Sequence, residues 1–194
     1  RRVLFRSPAA TTGLTPLHEA QRIVLDAATP LGLEKISILD TLGRVLGEDI
    51  IAERHNPPWD NSAMDGFAVR AEDIQQEHTI SKPVTLTVIE DVPAGKMPTK
   101  SVGRGQAIRI MTGAPIPKGA DTVLKVEDTE HTPDSVRVFK PEPRGSNIRP
   151  QGEDVKKGDC IIPKGTTIRS GEAGMLAILA KSFVLVYQRP RVAI

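Results

Sequence analysis

The sequence predicts a multidomain α+β fold: a segmented α/β first domain with a small β-barrel or β-sandwich domain inserted into it. Three observations carry this. Helical periodicity appears only towards the two ends of the chain. Between about Gly66 and Asp159, short extended segments follow one another across Gly/Pro-rich breaks. The 194 residues include 16 Gly and 16 Pro, which implies many turns and hence many short strands. The expected division is a disordered or appended tail over 1–12, a first domain over 13–58 and 159–190, an inserted β domain over 59–158, and the start of a third domain over 191–194.

The elements follow in order. Thr15 suits an N-cap and Pro16 the first position of a helix reaching Ala28. Leu17, Ala20, Ile23, Val24 and Ala27 recur at helical spacing and give it one apolar face. Pro30 stops it. Glu34–Leu39 alternates like a strand. Asp40 is expected to cap a short helix carrying Leu42, Val45 and Leu46, ended by Gly47. Asp49–Glu53 reads as extended. The predicted strands of the inserted domain are 67–69, 84–90, 107–111, 122–127 and 136–139. Ser170 is the expected cap of a helix over 171–180, and Phe183–Gln188 a strand. Arg189–Ile194 reads as a linker into a further strand.

Composition excludes several classes. Hydrophobic residues are 39% and charged residues 26%, ordinary for a globular protein. Aromatics are only 3%, so the core must rest on aliphatic side chains. No apolar run approaches the length of a membrane helix. The net charge is +2, but residues 1–7 hold three arginines and no acid, and without them the charge is −1. Neither that balance nor any aromatic-plus-basic surface argues for nucleic-acid binding. The single Cys160 excludes an internal disulfide. Within the apolar run Cys160–Ile162 it is expected to be a buried structural thiol. His18, His55, His78 and His131 make no metal-ligand spacing.

Three segments carry candidate chemistry. Residues 56–69 run Asn-Pro-Pro-Trp-Asp-Asn-Ser-Ala-Met-Asp-Gly-Phe-Ala-Val. Pro57 and Pro58 exclude an ordinary helix there, and Asp60 and Asp65 lie five residues apart. Carboxylates on a rigid loop suit a hard cation such as Mg²⁺ or a charged small molecule. The bland alternative is a turn, with Asp65-Gly66 at a hairpin. Met64 is expected to pack. The second segment is Ile108–Pro115, where amides released after Thr112 and Gly113 could cradle an anion with help from Arg109. Its alternative is a plain strand-to-turn junction. The third is Asn147–Asp154, where Arg144 and Arg149 could hold phosphate and Glu153 and Asp154 could complete, with the first loop, a metal or oxyanion site. Its alternative is a solvated charged turn.

These three segments, in this order, closely resemble the molybdopterin molybdenumtransferase family (MoeA and the gephyrin E domain). The matching residues are Pro58–Val69, Ile108–Pro115 with Gly119-Ala120-Asp121, and Asn147-Ile148-Arg149 with Gly152-Glu153-Asp154. The resemblance runs from about Gly13 to Ile194. It implies a cytoplasmic, homodimeric, Mg²⁺-assisted enzyme that inserts molybdenum from molybdate into adenylated molybdopterin and releases AMP. The adenylating molybdopterin enzyme is an implied partner, while nucleic acid and membrane are not. Asp65, Thr112 and Asp154 are the implied catalytic positions. Asn61, Ser62, Arg109, Gly113 and Arg149 are the implied substrate-binding positions. Asp65 and Asp154 are also the implied metal ligands.

Members of the family continue into an α/β domain, with a Gly-Asp-Glu segment and the main pterin surface, and then a further β domain. The present chain is expected to be a truncated piece, inactive by itself. Trp59, Phe67 and Lys181-Ser182-Phe183 depart from the usual family residues. A non-catalytic dimerisation or scaffold module, and an enzyme acting on another phosphorylated substrate, remain the alternatives.

Overall fold

The computed structural model describes residues 14–75 and 82–192. The expected tail, His78 and the last two residues of the expected third-domain strand lie outside them. The helices are α1 (Leu17–Ala27), α2 (Ala71–Ile74) and α3 (Ser170–Ile178). The strands are β1 (Leu33–Ser37), β2 (Ile50–Ile51), β3 (Asn61–Ser62), β4 (Gly66–Val69), β5 (Val84–Val92) and β6 (Gln106–Ile110). They continue with β7 (Thr122–Lys125), β8 (Thr129–His131), β9 (Ser135–Val138), β10 (Ile148–Arg149), β11 (Cys160–Ile162) and β12 (Phe183–Tyr187). None of the described helices is long and apolar enough to cross a membrane.

The chain divides into two compact units. The first comprises Arg1–Glu48, Lys164–Ala177 and Lys181–Ile194, and the second Asp49–Pro163 with Ile178–Ala180. The segment 49–58 belongs to the second unit because β2 pairs with β11 and Asn56 bridges to Val155.

In the first unit, β1 and β12 pair antiparallel from Leu33↔Tyr187 to Ser37↔Phe183. Its buried hydrophobic residues, among those described, are Leu46, Ile168, Leu176, Val184 and Val186. The expected helix after Asp40 does not form. Its residues make long-range bonds instead: Leu46 N donates to Thr166 O at 2.9 Å and Gly47 N to Leu185 O at 2.9 Å. A helix would have kept both amides within the segment, and it would have taken Leu46 out of its bridge to Val186. The N-terminal helix starts one residue later than its sequence suggests, with Pro16 rather than Thr15 at the N-cap and no side-chain cap. Its apolar stripe is present, but none of its residues is buried. At α3 the expected cap Ser170 is instead the first helical residue, and the Glu172 carboxylate reaches back to accept the Arg169 amide at 2.9 Å.

The second unit is built on a six-stranded sheet in the order β7-β4-β6-β5-β9-β8. Only β5 and β6 run parallel. The sheet is curled. Its two edge strands, β7 and β8, are consecutive in sequence and are joined by the 3-10 turn Val126–Asp128. The Phe67 ring on β4 also meets the His131 ring on β8, with centroids 5.3 Å apart.

Both faces of the sheet are covered. One core holds Phe67, Val69, Ile74, Leu86, Ala107, Leu124, Val136 and Val138. The other holds Ala68, Val92, Val102, Ile108, Ile110, Ala114 and Val123. Consecutive residues of β4 therefore enter opposite cores, and the whole strand is buried. Burial along β5 alternates as far as Val88, where a bulge between Val88 and Glu90 shifts the register against β6. Cys160 is exposed, against expectation. In the short strand β11 the inward position falls on Ile162 instead.

Candidate functional site

Two residues, Asn61 and Ser62, bring the three sequence segments together. On one side of β3, Ser62 N donates to Ala114 O at 3.0 Å, Gly113 N to Ser62 O at 2.8 Å, and Ile116 N to Asp60 O at 3.0 Å. On the other side β3 pairs with β10, in the register Ile148↔Ser62 and Arg149↔Asn61. Ala63 N extends this pairing to Asn147 O at 2.9 Å. Asn147 adopts φ 58°, a left-handed conformation that Asn tolerates, and its side-chain amide donates to Val123 O at 2.8 Å. The buried Ser62 hydroxyl fixes the following turn by donating to Met64 O at 2.5 Å and accepting from Met64 N at 3.2 Å. The loop is thus held by backbone pairing on both flanks, as a preorganised site requires.

Asp65 emerges from this turn immediately before β4. Its Oδ1 accepts the Thr112 backbone amide at 2.7 Å and the Thr112 hydroxyl at 2.7 Å. Both hydrogen bonds favour the ionised carboxylate and hold its pKa below the usual 3.8, with a further contribution from the positive charge of Arg109. Asp65 and Thr112 are both exposed. The Asp65-Gly66 pair is not a hairpin turn, since Gly66 opens β4 between β6 and β7. Glycine is required there by contact: a Cβ would lie 1.7 Å from Leu124 O.

The anion cradle expected after Thr112 does not exist as free amides. Thr112 N is bound by Asp65, Gly113 N by Ser62 O, and Ala114 N by Met111 O at 2.9 Å. These bonds shape the loop and leave the Thr112 hydroxyl and the Asp65 carboxylate as its outward chemistry. Arg109 lies 3.7 Å from Asp91. Met64 is exposed rather than packed, and so is Trp59.

The third segment forms an ion-pair cluster. Arg149 donates through Nε to Glu153 at 2.8 Å and through Nη2 to both oxygens of Asp154, at 3.0 and 3.2 Å. These partners raise the Arg149 pKa, Glu153 foremost. Arg149 is therefore already engaged with carboxylates. Arg144 is paired with Asp121 at 3.1 Å.

The turn 150–155 donates five bonds to the Pro-Pro loop. Gln151 N donates to Asp60 Oδ1 at 2.7 Å, and the Gln151 side-chain amide to Pro58 O at 2.6 Å. Gly152 N donates to Pro57 O at 2.9 Å, while Asp154 N and Val155 N both donate to Asn56 O at 3.0 Å. The Asn56–Pro57 peptide is cis. Asp60 thus acts as a loop brace. Sequence reasoning did not single out Asn56 or Gln151; Asn56 opens the first segment and Gln151 lies within the third, which was the only signal.

The fit to a metal can be tested on these contacts. No group of three or more His, Cys, Asp or Glu that could hold an ion occurs among the described residues. Asp65 spends one oxygen on Thr112, and no bond to its other oxygen occurs among the described residues. That suits Mg²⁺, which keeps several waters and takes one or two carboxylates together with substrate oxygens. Asp154 is charge-compensated by Arg149. A metal bound there would compete with that pairing.

The pattern of the chain matches the model of the MoeA N-terminal region, domains I and II, over residues 15–180. The chain belongs to the MoeA family. It is 39% identical over 183 residues to molybdopterin molybdenumtransferase of Bacillus subtilis, covering 92% of this chain and 42% of that protein. It is 38% identical over 178 residues to molybdopterin molybdenumtransferase 2 of Mycobacterium tuberculosis, covering 92% of this chain and 44% of the relative. Among solved structures, the molybdopterin biosynthesis MoeA protein of Pyrococcus horikoshii superposes with a TM-score of 0.86 at 41% identity. That match covers 92% of this chain and 47% of the other. The chain therefore spans less than half the length of these MoeA relatives, and its mixed α+β fold with a curled sheet is the MoeA fold of that region.

Proposed function

We propose that this chain is the N-terminal part of an enzyme that inserts molybdenum from molybdate into adenylated molybdopterin, releasing AMP. The observation that carries the reading is the convergence of three MoeA-like motifs on β3, which places Asp65 with Thr112 on one flank and Arg149 with Asp154 on the other. The names of the relatives, molybdopterin molybdenumtransferases, supply the reaction class.

In this reading Asp65 stays ionised and fixed by Thr112, so that its second oxygen would be available to hold a magnesium ion or accept a proton from the substrate without reorganisation. Mg²⁺ would supply charge neutralisation at the phosphate and molybdate oxygens. Thr112 orients Asp65 through two donors and presents its hydroxyl oxygen to the same space. Arg149 sets the direction of Asp154. Asn61 has a buried side-chain oxygen without a hydrogen-bond partner among the described residues, a group suited to an ordered water or a substrate donor. Ser62 and Gly113 act by shaping the loop, and Arg109 by its positive charge.

The inserted unit, read as a small barrel, is the platform for this half-site. The enzyme works as a cytoplasmic homodimer, receiving its substrate from the adenylating molybdopterin enzyme. The half-site alone does not turn over. The test compares this chain with the full-length protein for molybdate-dependent AMP release from adenylated molybdopterin. Turnover confined to the full-length protein supports the reading, and robust turnover by the chain alone refutes the half-site.

A further inference from the structure

The hydrogen bonds between the Pro-Pro loop and the Asp154 turn end at a side chain. From Gly152 to Val155 the turn bonds to backbone carbonyls of Asn56 and Pro57, and Asn56 N returns a bond to Val155 O at 2.8 Å. Beyond Val155 the next cross-loop bond is made by a histidine: Lys157 N donates to His55 Nδ1 at 3.2 Å. The same ring fills the space beneath Gly152. A Cβ on Gly152 would lie 2.8 Å from His55 Nδ1 and 3.4 Å from its Cγ, and Gly152 has φ +72°. His55 thus touches the turn on both sides of Asp154, two residues before it and three after.

We infer that His55 is a positioning residue for Asp154, acting through its Nδ1 acceptor and the ring face under Gly152; this rests on the reading of Asp154 as a site residue. Arg149 fixes the Asp154 carboxylate from the front, and His55 fixes the backbone that carries it from behind. Supporting groups of this kind orient those that meet a ligand, and their loss is felt through it. His55 itself touches no substrate in this account.

The test uses three variants of the full-length protein. Asn at position 55 keeps an acceptor oxygen where Nδ1 lies, whereas Leu keeps bulk and removes the acceptor. Hydrogen exchange is followed in the peptide spanning 153–158, and molybdate-dependent AMP release is measured across a magnesium titration. H55L is expected to speed exchange in that peptide about tenfold, the effect of losing one modest hydrogen bond. It is also expected to lower AMP release by about 10–100-fold, while H55N restores both to within about threefold of the unchanged protein.

Exchange and turnover in H55L equal to the unchanged protein would overturn the inference. Equal impairment in H55N and H55L would overturn the acceptor role. D154N serves as the third variant. If it turns over normally, the functional reading of Asp154 fails, while the exchange data still decide whether His55 holds the turn.

Discussion

Thr112 grips a single oxygen of Asp65 twice, through its backbone amide and its hydroxyl, each at 2.7 Å. Forty-seven residues separate the two in sequence. The amide's hydrogen bond survives replacement of the Thr112 side chain by Val, but the hydroxyl bond does not. Thr112→Val should therefore raise the Asp65 pKa from its lowered value towards 3.8, because the largest cause of the lowering is the side-chain bond. Carboxyl NMR titration reads this directly. The sign for stability follows: a carboxylate with a lowered folded pKa contributes stability above its unfolded pKa and loses it as pH falls through the folded value. The Thr112 contribution should thus be complete at neutral pH and vanish in strong acid.

Gly66 lies in β4 against the backbone of the neighbouring strand β7. Its substitution by Ala places a methyl 1.7 Å from Leu124 O, a backbone atom that cannot rotate away. The expected cost is about 3 kcal/mol or more, from overpacking that must shift a strand. Denaturant unfolding checks it, and an unchanged midpoint would refute the close approach.

Phe67 is fully buried in one core of the sheet and meets His131 across the curl. Phe67→Ala should destabilise the second unit by about 3–5 kcal/mol, as large-to-small changes do in packed cores. Unfolding followed by intrinsic amide exchange in β4 and β8 would show whether both strands loosen together, which the curl predicts.

Glu172 has its pKa lowered from 4.5 to about 2, chiefly by its bond to the Arg169 side chain and then by the Arg169 amide. Its contribution to α3 should be full above pH 4.5 and disappear as pH falls towards about 2. Comparing Glu172→Gln with the unchanged protein across that range tests it. The stability gap should close in acid, and a gap independent of pH would contradict the ion pair.

The sequence made the site more legible than the scaffold. Asn61, Ser62, Asp65, Thr112, Gly113, Arg149 and Asp154 lie in segments whose residue types already marked a rigid polar loop, and backbone pairing at β3 joins those segments. The role of the amides after Thr112 was not legible, because their partners Ser62 O and Asp65 are remote in sequence. Alternating segments such as 84–88 showed themselves as strands by period. The stretch after Asp40 misled because Leu42, Val45 and Leu46 share a helical spacing, yet long-range bonds from Thr166 and Leu185 claim it. Strands of two or three residues, such as β3, β8 and β10, carry too little period to be seen. Cys160 shows the limit of reading burial from an apolar run three residues long.

The most direct measurement concerns Asp65 in the full-length protein. Asp65→Ala should leave the circular dichroism spectrum unchanged, since the carboxylate is exposed and β4 is held by its own pairing. Molybdate-dependent AMP release from adenylated molybdopterin should fall by about 100-fold or more, as on losing a preorganised charged group at a reacting centre. A folded Asp65→Ala protein with normal turnover would contradict the account and return the loop to a structural turn.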